Sequence, residues 1–389
     1  MIKIAQIIPD NRDEFRQYNF PEPIFGPAPD ALLSGLAQLS SKGECEVHVL
    51  SCSRAPSQTP ERIYNGSIHY HQIPVSPLGY LKTLYRGCVK ALRRELLKIS
   101  PDIVHGQGTE RYCSLAAVRS GFPNLITLHG NMRSVAKIHH ARPFSFHWLA
   151  ARLESWTLPR TGGVICLSHA TQERVQNLAP QTWVIPNAVD EKFLHLNLFS
   201  SSKHAVPFRL ICLGTICLHK NQNWLIQALA PLREKFNFEL HLYGKPEPGS
   251  SYTAEFNQLL SHHSWVKTHG FIPHDQLPDI YAGADLLLIP SIEDNCPMVI
   301  LEAMACGTPA IGARIGGIPD LIRDGKTGFL YESQNADQLR RILSDLLREP
   351  SRLKPLQQES VHILQTYHTP LQIASRHLEV FREFLNRKI

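Results

Sequence analysis

Two carboxylates, a lysine and a histidine stand where this sequence offers the means to act on an anionic substrate. Asp294 and Glu302 lie eight positions apart within the stretch Ser291 to Thr308, directly after the apolar run Leu286-Leu287-Leu288-Ile289-Pro290. That run reads as a buried strand, and the residues after it read as a loop turning into a helix. Asn295 suits an N-cap, Pro297 the first helical turn, and Gly307 a stop after Cys306. The opening N–H groups of a helix lack intrahelical partners, so a strand feeding a loop and then a helix start is a natural anion site. Lys220 comes after another strand-like run, Phe208 to Leu213, which ends in Gly214-Thr215. A lysine in that place is set to meet phosphate oxygens. His129-Gly130-Asn131 comes after Leu125-Ile126-Thr127-Leu128, at the strand end where α/β proteins collect their chemistry. A lone histidine is ordinarily structural, and this position favours a functional one. Gly26, just ahead of the amphipathic run Ala31 to Leu39, reads equally as a loop approaching a ligand phosphate or as a simple turn, because prolines around it remove N–H groups.

The elements that would position these residues alternate. Strand-like runs at Ile2 to Ile8, Glu46 to Ser51, Ile68 to Ile73, Ile103 to His105, Leu125 to His129, Gly163 to Ser168 and Trp183 to Pro186 are separated mostly by helical patterns. Alternation of this kind predicts a parallel, doubly wound sheet. Phe193 to Pro207, with Ser200-Ser201-Ser202 inside it, interrupts the pattern and reads as an interdomain linker. Strands then resume at Phe208 to Leu213, Glu239 to Tyr243, Val266 to Thr268, Asp285 to Ile289, Pro309 to Ile311 and Phe329 to Tyr331. If this second sheet is also doubly wound, the turn Gly316-Gly317-Ile318-Pro319 converges with Gly214 on one crevice. Residues from Ala336 onward read as helix in pieces, broken near Pro350 and Pro370.

Leu81 to Ile99 is patterned as one helix. Leu81, Leu84, Cys88, Leu92, Leu96 and Ile99 share helical spacing, and Lys82, Arg86, Lys90, Arg93, Arg94 and Lys98 fill the other sides. Its basic side is either a solvated face or a patch that rests on anionic lipid or meets an acidic acceptor.

Composition narrows the class. At 389 residues the chain exceeds a comfortable single core, and 43% hydrophobic against 19% charged residues describes a folded globular protein. No run approaches a membrane span, and Met1 to Ile8 reads as a first strand rather than a signal peptide, so the expected location is cytoplasmic. The nine cysteines lack a Cys-x-x-Cys pair and sit in apolar runs, as reduced core residues do. Neighbouring histidines at 139–140 and 262–263 cannot put both rings on one helical face, so a metal reading is disfavoured. A net charge of +6 permits anionic substrates or a membrane surface without arguing for nucleic acid.

From Gly270 to Gly328 the residues resemble a known family most strongly. Asp285 to Ser291, then Leu301-Glu302-Ala303-Met304-Ala305-Cys306-Gly307-Thr308-Pro309 and Gly316-Gly317-Ile318-Pro319-Asp320, are similar to the family-4 retaining glycosyltransferases of GT-B fold. Weaker matches are Thr127-Leu128-His129-Gly130, Ile185 to Asp190, and Leu213-Gly214 through Lys220. The resemblance implies an α/β GT-B fold with two Rossmann-like domains facing a central cleft. The acceptor would lie mainly on the first (1–195) and the nucleotide-sugar donor mainly on the second (207–366), with a final helix (367–389) crossing back to the first. It implies that Glu302 accepts hydrogen bonds from ribose hydroxyls, Asp294 contacts the sugar, Lys220 holds the diphosphate and His129 meets the transferred sugar near the reaction centre. Gly214, Thr215, Asn295, Cys296, Pro297, Met298 and Val299 would line the donor site, with Gly26 a loose match to the glycine loop of the first domain. The resemblance departs at three points. Asp294 stands for the usual glutamate, one methylene shorter. Asn295-Cys296-Pro297 stands for a glycine-aromatic-glycine run. Thr215 stands for an arginine, whose charge Arg133, Arg209, Lys245 or Arg314 would have to supply.

The implied reaction is a retaining, metal-independent transfer of a sugar from a nucleotide sugar, which is a substrate and not a cofactor. The acceptor hydroxyl belongs to a saccharide or a lipid-linked saccharide, in cell-surface polysaccharide or glycolipid assembly. Peripheral contact with an anionic membrane fits the basic helix. The rival readings are a GT-B nucleotide-sugar epimerase and a non-catalytic nucleotide-sugar binder. Donor hydrolysis by the purified protein separates a transferase from the binder.

Overall fold

The computed structural model describes residues 1–15, 22–54, 61–194 and 207–387. The expected linker, Phe193 to Pro207, lies outside the described residues except at its two ends. The chain divides into two compact units, Met1–Asp190 with Thr369–Ile389, and Glu191–His368.

Eight strands make the sheet of the first unit: β1 (Ile2–Ile7), β2 (Cys45–Ser53), β3 (Glu61–Tyr64), β4 (Ile68–Pro74), β5 (Ile103–Gln107), β6 (Asn124–Leu128), β7 (Val164–Cys166) and β8 (Thr182–Val184). They lie in the order β3-β4-β2-β1-β5-β6-β7-β8. Neighbours run parallel, as buried apolar strands covered by helices should. The exception is the edge pair β3 and β4, an antiparallel hairpin absent from the sequence reading. Its turn passes through Asn65 and Gly66, both at positive φ, and that dipeptide is a hairpin signal in its own right. The order reverses between β1 and β5, which makes their carboxyl ends the switch point where such sheets take ligands.

The helix expected over Leu81 to Ile99 begins later. Leu81–Thr83 is a single 3-10 turn, Leu84 and Tyr85 take the left-handed conformation, and the α-helix runs Arg86–Ile99. Two successive left-handed residues cannot be continued as a right-handed helix. Cys88, Val89, Leu92 and Leu96 are buried, while Leu81 and Leu84, counted by periodicity with the buried stripe, are exposed, as is Leu97.

In the second unit β9 (Phe208–Leu213), β10 (Phe238–Tyr243), β11 (Val266–Thr268), β12 (Leu286–Ile289), β13 (Ala310–Ala313) and β14 (Gly328–Tyr331) form an all-parallel sheet in the order β11-β10-β9-β12-β13-β14. This is the order of a dinucleotide-binding fold, with its switch point between β9 and β12.

The final helix, Pro370–Asn386, packs in the first unit against the helix Pro27–Ser41. Ile373, Ala374, His377, Leu378, Phe381 and Phe384 form its buried side, at the spacing of one helical face. A capping box at Thr369 and Gln372 starts it. The crossing is close enough that a Cβ on Gly35 would sit 2.0 Å from the Pro370 carbonyl oxygen, so only glycine fits there. None of the nine cysteines forms a disulfide and all are buried.

Candidate active site

The loops leaving β9 and β12, at the switch point of the second sheet, bring Lys220 and Asp294 together. Lys220 Nζ donates to Asp294 Oδ2 at 2.6 Å, and Ser291 Oγ donates to the same oxygen at 3.2 Å. Backbone bonds pin the loops to each other. Ile292 N–H donates to the His219 carbonyl at 2.9 Å, and the Asn221 side-chain amide donates to the Pro290 carbonyl at 3.2 Å from a left-handed residue. Burial by itself would lower the Lys220 pKa, but the adjacent Asp294 carboxylate outweighs it and the net shift is upward, so the lysine is charged. Gly214 stands beside the Lys220 stem in a left-handed conformation, at φ 136°. Thr215 supplies its carbonyl to the Gln222 amide at 3.0 Å.

The turn Gly316-Gly317 holds the backbone of this loop. Gly317 N–H donates to the Asp294 carbonyl at 3.0 Å, and a Cβ on Gly316, at φ 55°, would lie 1.9 Å from that oxygen. The glycine turn foreseen from sequence thus abuts Asp294 itself. The helix start differs from expectation. Asn295 is not the N-cap: Pro297 occupies that position in extended conformation, and the helix runs Met298–Ala305. Asn295, Cys296 and Pro297 form a buried turn, and Met298 and Val299 are half-buried. Proline disfavours helical backbone in the residue before it, and the ψ of 114° at Pro297 is itself extended, so the helix starts only after it. Gly307 at φ 62° ends the helix as expected.

Glu302 is 2% exposed, on a helix whose other sides carry Ile300, Leu301, Ala303 and Met304. A buried carboxylate needs partners, and two protein groups supply them. Tyr281 O–H donates to Oε2 at 2.7 Å, and His274 Nε2 meets Oε1 at 2.9 Å. Lys192 Nζ lies 2.6 Å from His274 Nδ1, and a lysine can only donate, so His274 gives its Nε2 proton to Glu302. A carboxylate oxygen can accept more than one hydrogen bond. Burial and the Glu302 charge push the Tyr281 phenol far up, so it stays a donor. The sequence reading missed Tyr281, His274 and Lys192. Its available signal was slight, a tyrosine inside an apolar helix whose hydroxyl must find a partner.

The four cations offered in place of the arginine separate by position. Arg133 belongs to the first unit. Arg209 is the second residue of β9, at the sheet end opposite Gly214, roughly 15 Å away along the strand. Arg314 pairs with Asp324 and Glu332, each at 3.1 Å. Lys245 alone follows the strand next to β9 on the same sheet end, where a Cβ on Gly244 would meet the Gly214 carbonyl oxygen at 1.9 Å and the Lys245 carbonyl accepts from Ile216 N–H at 3.0 Å.

His129 and Gly26 sit in the first unit. His129 leaves the carboxyl end of β6, with Nε2 2.7 Å from Gln107 Oε1. Gln107 in turn donates to Gln6 Oε1 at 3.0 Å and faces His105 Nδ1 at 3.3 Å, while His105 Nε2 meets Thr127 Oγ1 at 2.7 Å. With the Gln107 amide nitrogen so committed, its oxygen faces His129, which donates from Nε2. Burial holds His129 down to about 4, so it is neutral at physiological pH. His377 of the final helix lies near His105, ring centroids 5.7 Å apart, and burial also lowers it to about 4. Gly26 caps the helix Pro27–Ser41 at φ −70°, and a Cβ there would meet nothing nearer than 3.7 Å. Its backbone places no demand for glycine. Among the described residues, no cluster of three or more His, Cys, Asp or Glu side chains is arranged to hold a metal ion, and no helix is long and apolar enough to cross a membrane.

Comparison with known proteins extends these observations. Residues 32–193 match Glycosyltransferase Family 4, and residues 207–349 match Glycosyl transferases group 1. The MMP α-(1→4)-mannosyltransferase of Mycolicibacterium hassiacum is 26% identical over 268 residues, 66% of this chain and 64% of that protein. The D-inositol 3-phosphate glycosyltransferase of Rhodococcus opacus is 38% identical over 86 residues, 22% of this chain and 19% of that protein. The chain thus spans less than two thirds of the length of either relative. Sucrose-phosphate synthase of Thermosynechococcus elongatus superimposes with a TM-score of 0.78 at 18% identity, covering 100% of both chains. HepE of Anabaena, in complex with UDP-glucose, superimposes at 0.71 and 20% identity, covering 98% of this chain and 100% of that one. Both units therefore have the GT-B glycosyltransferase architecture, and the chain belongs to the group 1, family 4 glycosyltransferases.

Proposed function

We propose that the protein transfers a sugar from a nucleotide-sugar donor to a hydroxyl of a saccharide or lipid-linked saccharide, with retention of anomeric configuration and without a metal ion. One observation carries this reading: a charged lysine locked on a carboxylate at the switch point of a dinucleotide-type sheet, with a buried carboxylate eight positions on. Lys220 has three N–H donors and Asp294 occupies one, so the ammonium can stay anchored while it donates to the diphosphate. Each such charge-assisted contact contributes about 1.5–3 kcal/mol, and it gains in strength as negative charge develops on the leaving group. Glu302, oriented by Tyr281 and His274, would take the ribose hydroxyls. His129, being neutral, suits sugar hydroxyls better than phosphate. Front-face attack would let the departing phosphate oxygen take the acceptor proton.

The UDP-glucose complex of HepE supports a nucleotide sugar as donor. Cell-surface polysaccharide or glycolipid assembly is the setting we assign. Lys220→Ala and Glu302→Ala should each lower kcat/KM with a nucleotide sugar by about 100-fold or more, and near-normal rates in both would refute the assignment.

The basic helix supports a place at the inner face of a membrane. Arg86, Lys90, Arg93 and Lys98 lie on the helix that also exposes Leu97, with Leu78, Leu81 and Leu84 exposed just before it. Cations beside exposed leucines fit an anionic lipid surface. Co-sedimentation with phosphatidylserine vesicles at low salt should pellet the protein, and its absence would remove the membrane from this account.

A further inference from the structure

The first unit has a switch point of its own, between β1 and β5, and a cavity of about 380 Å³ opens there. Its walls come from the residues after β1, the end of β2, the turns before the helix Arg86–Ile99, and the start of the helix Tyr112–Val118 after β5. The volume lies within the range of small-molecule sites, about 300–1,000 Å³. None of the candidate site residues named from the sequence lines it.

Its chemistry combines aromatic faces with guanidinium groups. The Tyr80 and Tyr112 rings meet edge to face at 6.4 Å. Tyr112 O–H accepts from Cys52 N–H at 3.1 Å, and Tyr80 O–H donates to Asp13 Oδ2 at 3.1 Å, so both phenols are fixed by protein partners. The Arg54 guanidinium lies over the Tyr80 ring at 4.8 Å, and Arg111 lines the cavity with it. Burial raises the Tyr85 phenol, and the charges of Arg111 and Arg54 act against that rise. Two carboxylates are present and both are engaged. Asp10 is ion-paired with Arg12 at 2.6 Å, and Asp13 accepts from Arg54 N–H at 3.0 Å and Ser53 Oγ at 3.2 Å as well as from Tyr80. The charged residues that line the cavity are Asp10, Asp13, Arg54 and Arg111, and Arg12, outside the lining, offsets Asp10.

Forked guanidinium groups recognise oxyanions in two-point fashion, and aromatic faces receive the apolar face of a sugar ring. We propose that this cavity is the acceptor subsite and that the acceptor is an anionic saccharide, its oxyanion clasped by Arg54 and Arg111 and its ring laid against Tyr80 and Tyr112. The inference rests on the glycosyl-transfer reading and adds to it the charge of the acceptor. A phosphate and a carboxylate share the chemistry required.

Isothermal titration of the full chain with glucose, glucose 6-phosphate and glucuronate, repeated with the corresponding mannose compounds at fixed ionic strength, tests it. At least one charged form should bind about tenfold or more tighter than its neutral parent, and the tighter of phosphate and carboxylate identifies the group. Arg54→Gln and Arg111→Gln should each remove most of that preference, whereas Arg54→Lys and Arg111→Lys, which keep charge and lose the fork, should fall between. Equal binding of charged and neutral sugars, no binding of any of them, or a preference that survives the double Gln variant overturns the proposal. UDP titrated into the same preparations reports on the second unit, so loss of donor binding and loss of anion preference are read separately.

Discussion

The lysine site at the switch point of the second sheet and the histidine site after β6 of the first are built from different materials. In the second unit the groups are ionic: a lysine held charged by an aspartate, and a buried glutamate held by a tyrosine and a histidine. Around His129 in the first unit they are neutral, a histidine kept unprotonated and wired through Gln107 to His105 and Gln6. The contrast reflects the ligand each set is proposed to meet. A diphosphate requires fixed charge, and a sugar requires directed hydrogen bonds without a charge that would hold product. The ionic site is also rigidly framed by glycine turns pressed against backbone, whereas the glycine foreseen in the first unit, Gly26, stands in open space.

That comparison is easiest to break at Gly316. A side chain there must displace the Asp294 carbonyl and adopt a left-handed backbone. Gly316→Ala should lower kcat by about 100-fold, as small misplacements of reacting groups do, with circular dichroism showing the fold retained. Wild-type kcat would mean the loop does not depend on this contact.

A second effect belongs to the first unit. His129 and His377 titrate at about 4, below the ordinary imidazole value near 6.5. An unfolded histidine takes up its proton as pH falls through about 6.5, while these remain neutral until about 4. The stability they confer is therefore complete above about pH 6.5 and is lost as pH falls from there towards 4. For the fully buried His377 the loss is up to about 3 kcal/mol. Melting temperature measured from pH 7.5 to 4.5 should drop steeply, and His377→Leu should flatten the drop. An unchanged slope would assign the acid sensitivity to other groups.

The smallest expected effect is at Gly26. Gly26→Ala should change kcat/KM by less than about twofold, because its φ is ordinary and no atom blocks a Cβ. A large loss would show that a ligand approaches this backbone closely, and would bring the two units nearer in design.

Much of the architecture was legible because local pattern and burial agree. Apolar runs such as Leu286 to Ile289 can only be buried strands, and their alternation with helices leaves little choice but parallel sheets. Errors fell where a single backbone conformation overrides periodicity. Leu84 and Tyr85 are left-handed and cut the predicted helix short, and the cap moved from Asn295 to Pro297. Lys220, Asp294 and Glu302 could be named from their places after strands and their spacing. Tyr281, His274, Lys192, Gln107 and the Arg54–Arg111 cavity could not, because each comes from a separate loop or helix and no spacing links them.

By itself, then, the chain's order of residues determined two Rossmann-like sheets and which side chains stand at their carboxyl ends, since period and turn chemistry are local properties. Tertiary structure alone decided which of those side chains touch. It set Lys220 on Asp294, closed Tyr281 and His274 on Glu302, and placed the final helix with His377 behind His105. Contacts between residues tens to hundreds of positions apart depend on strand order and on glycine-sized gaps such as Gly35 and Gly316, and these take their meaning only when distant backbones meet.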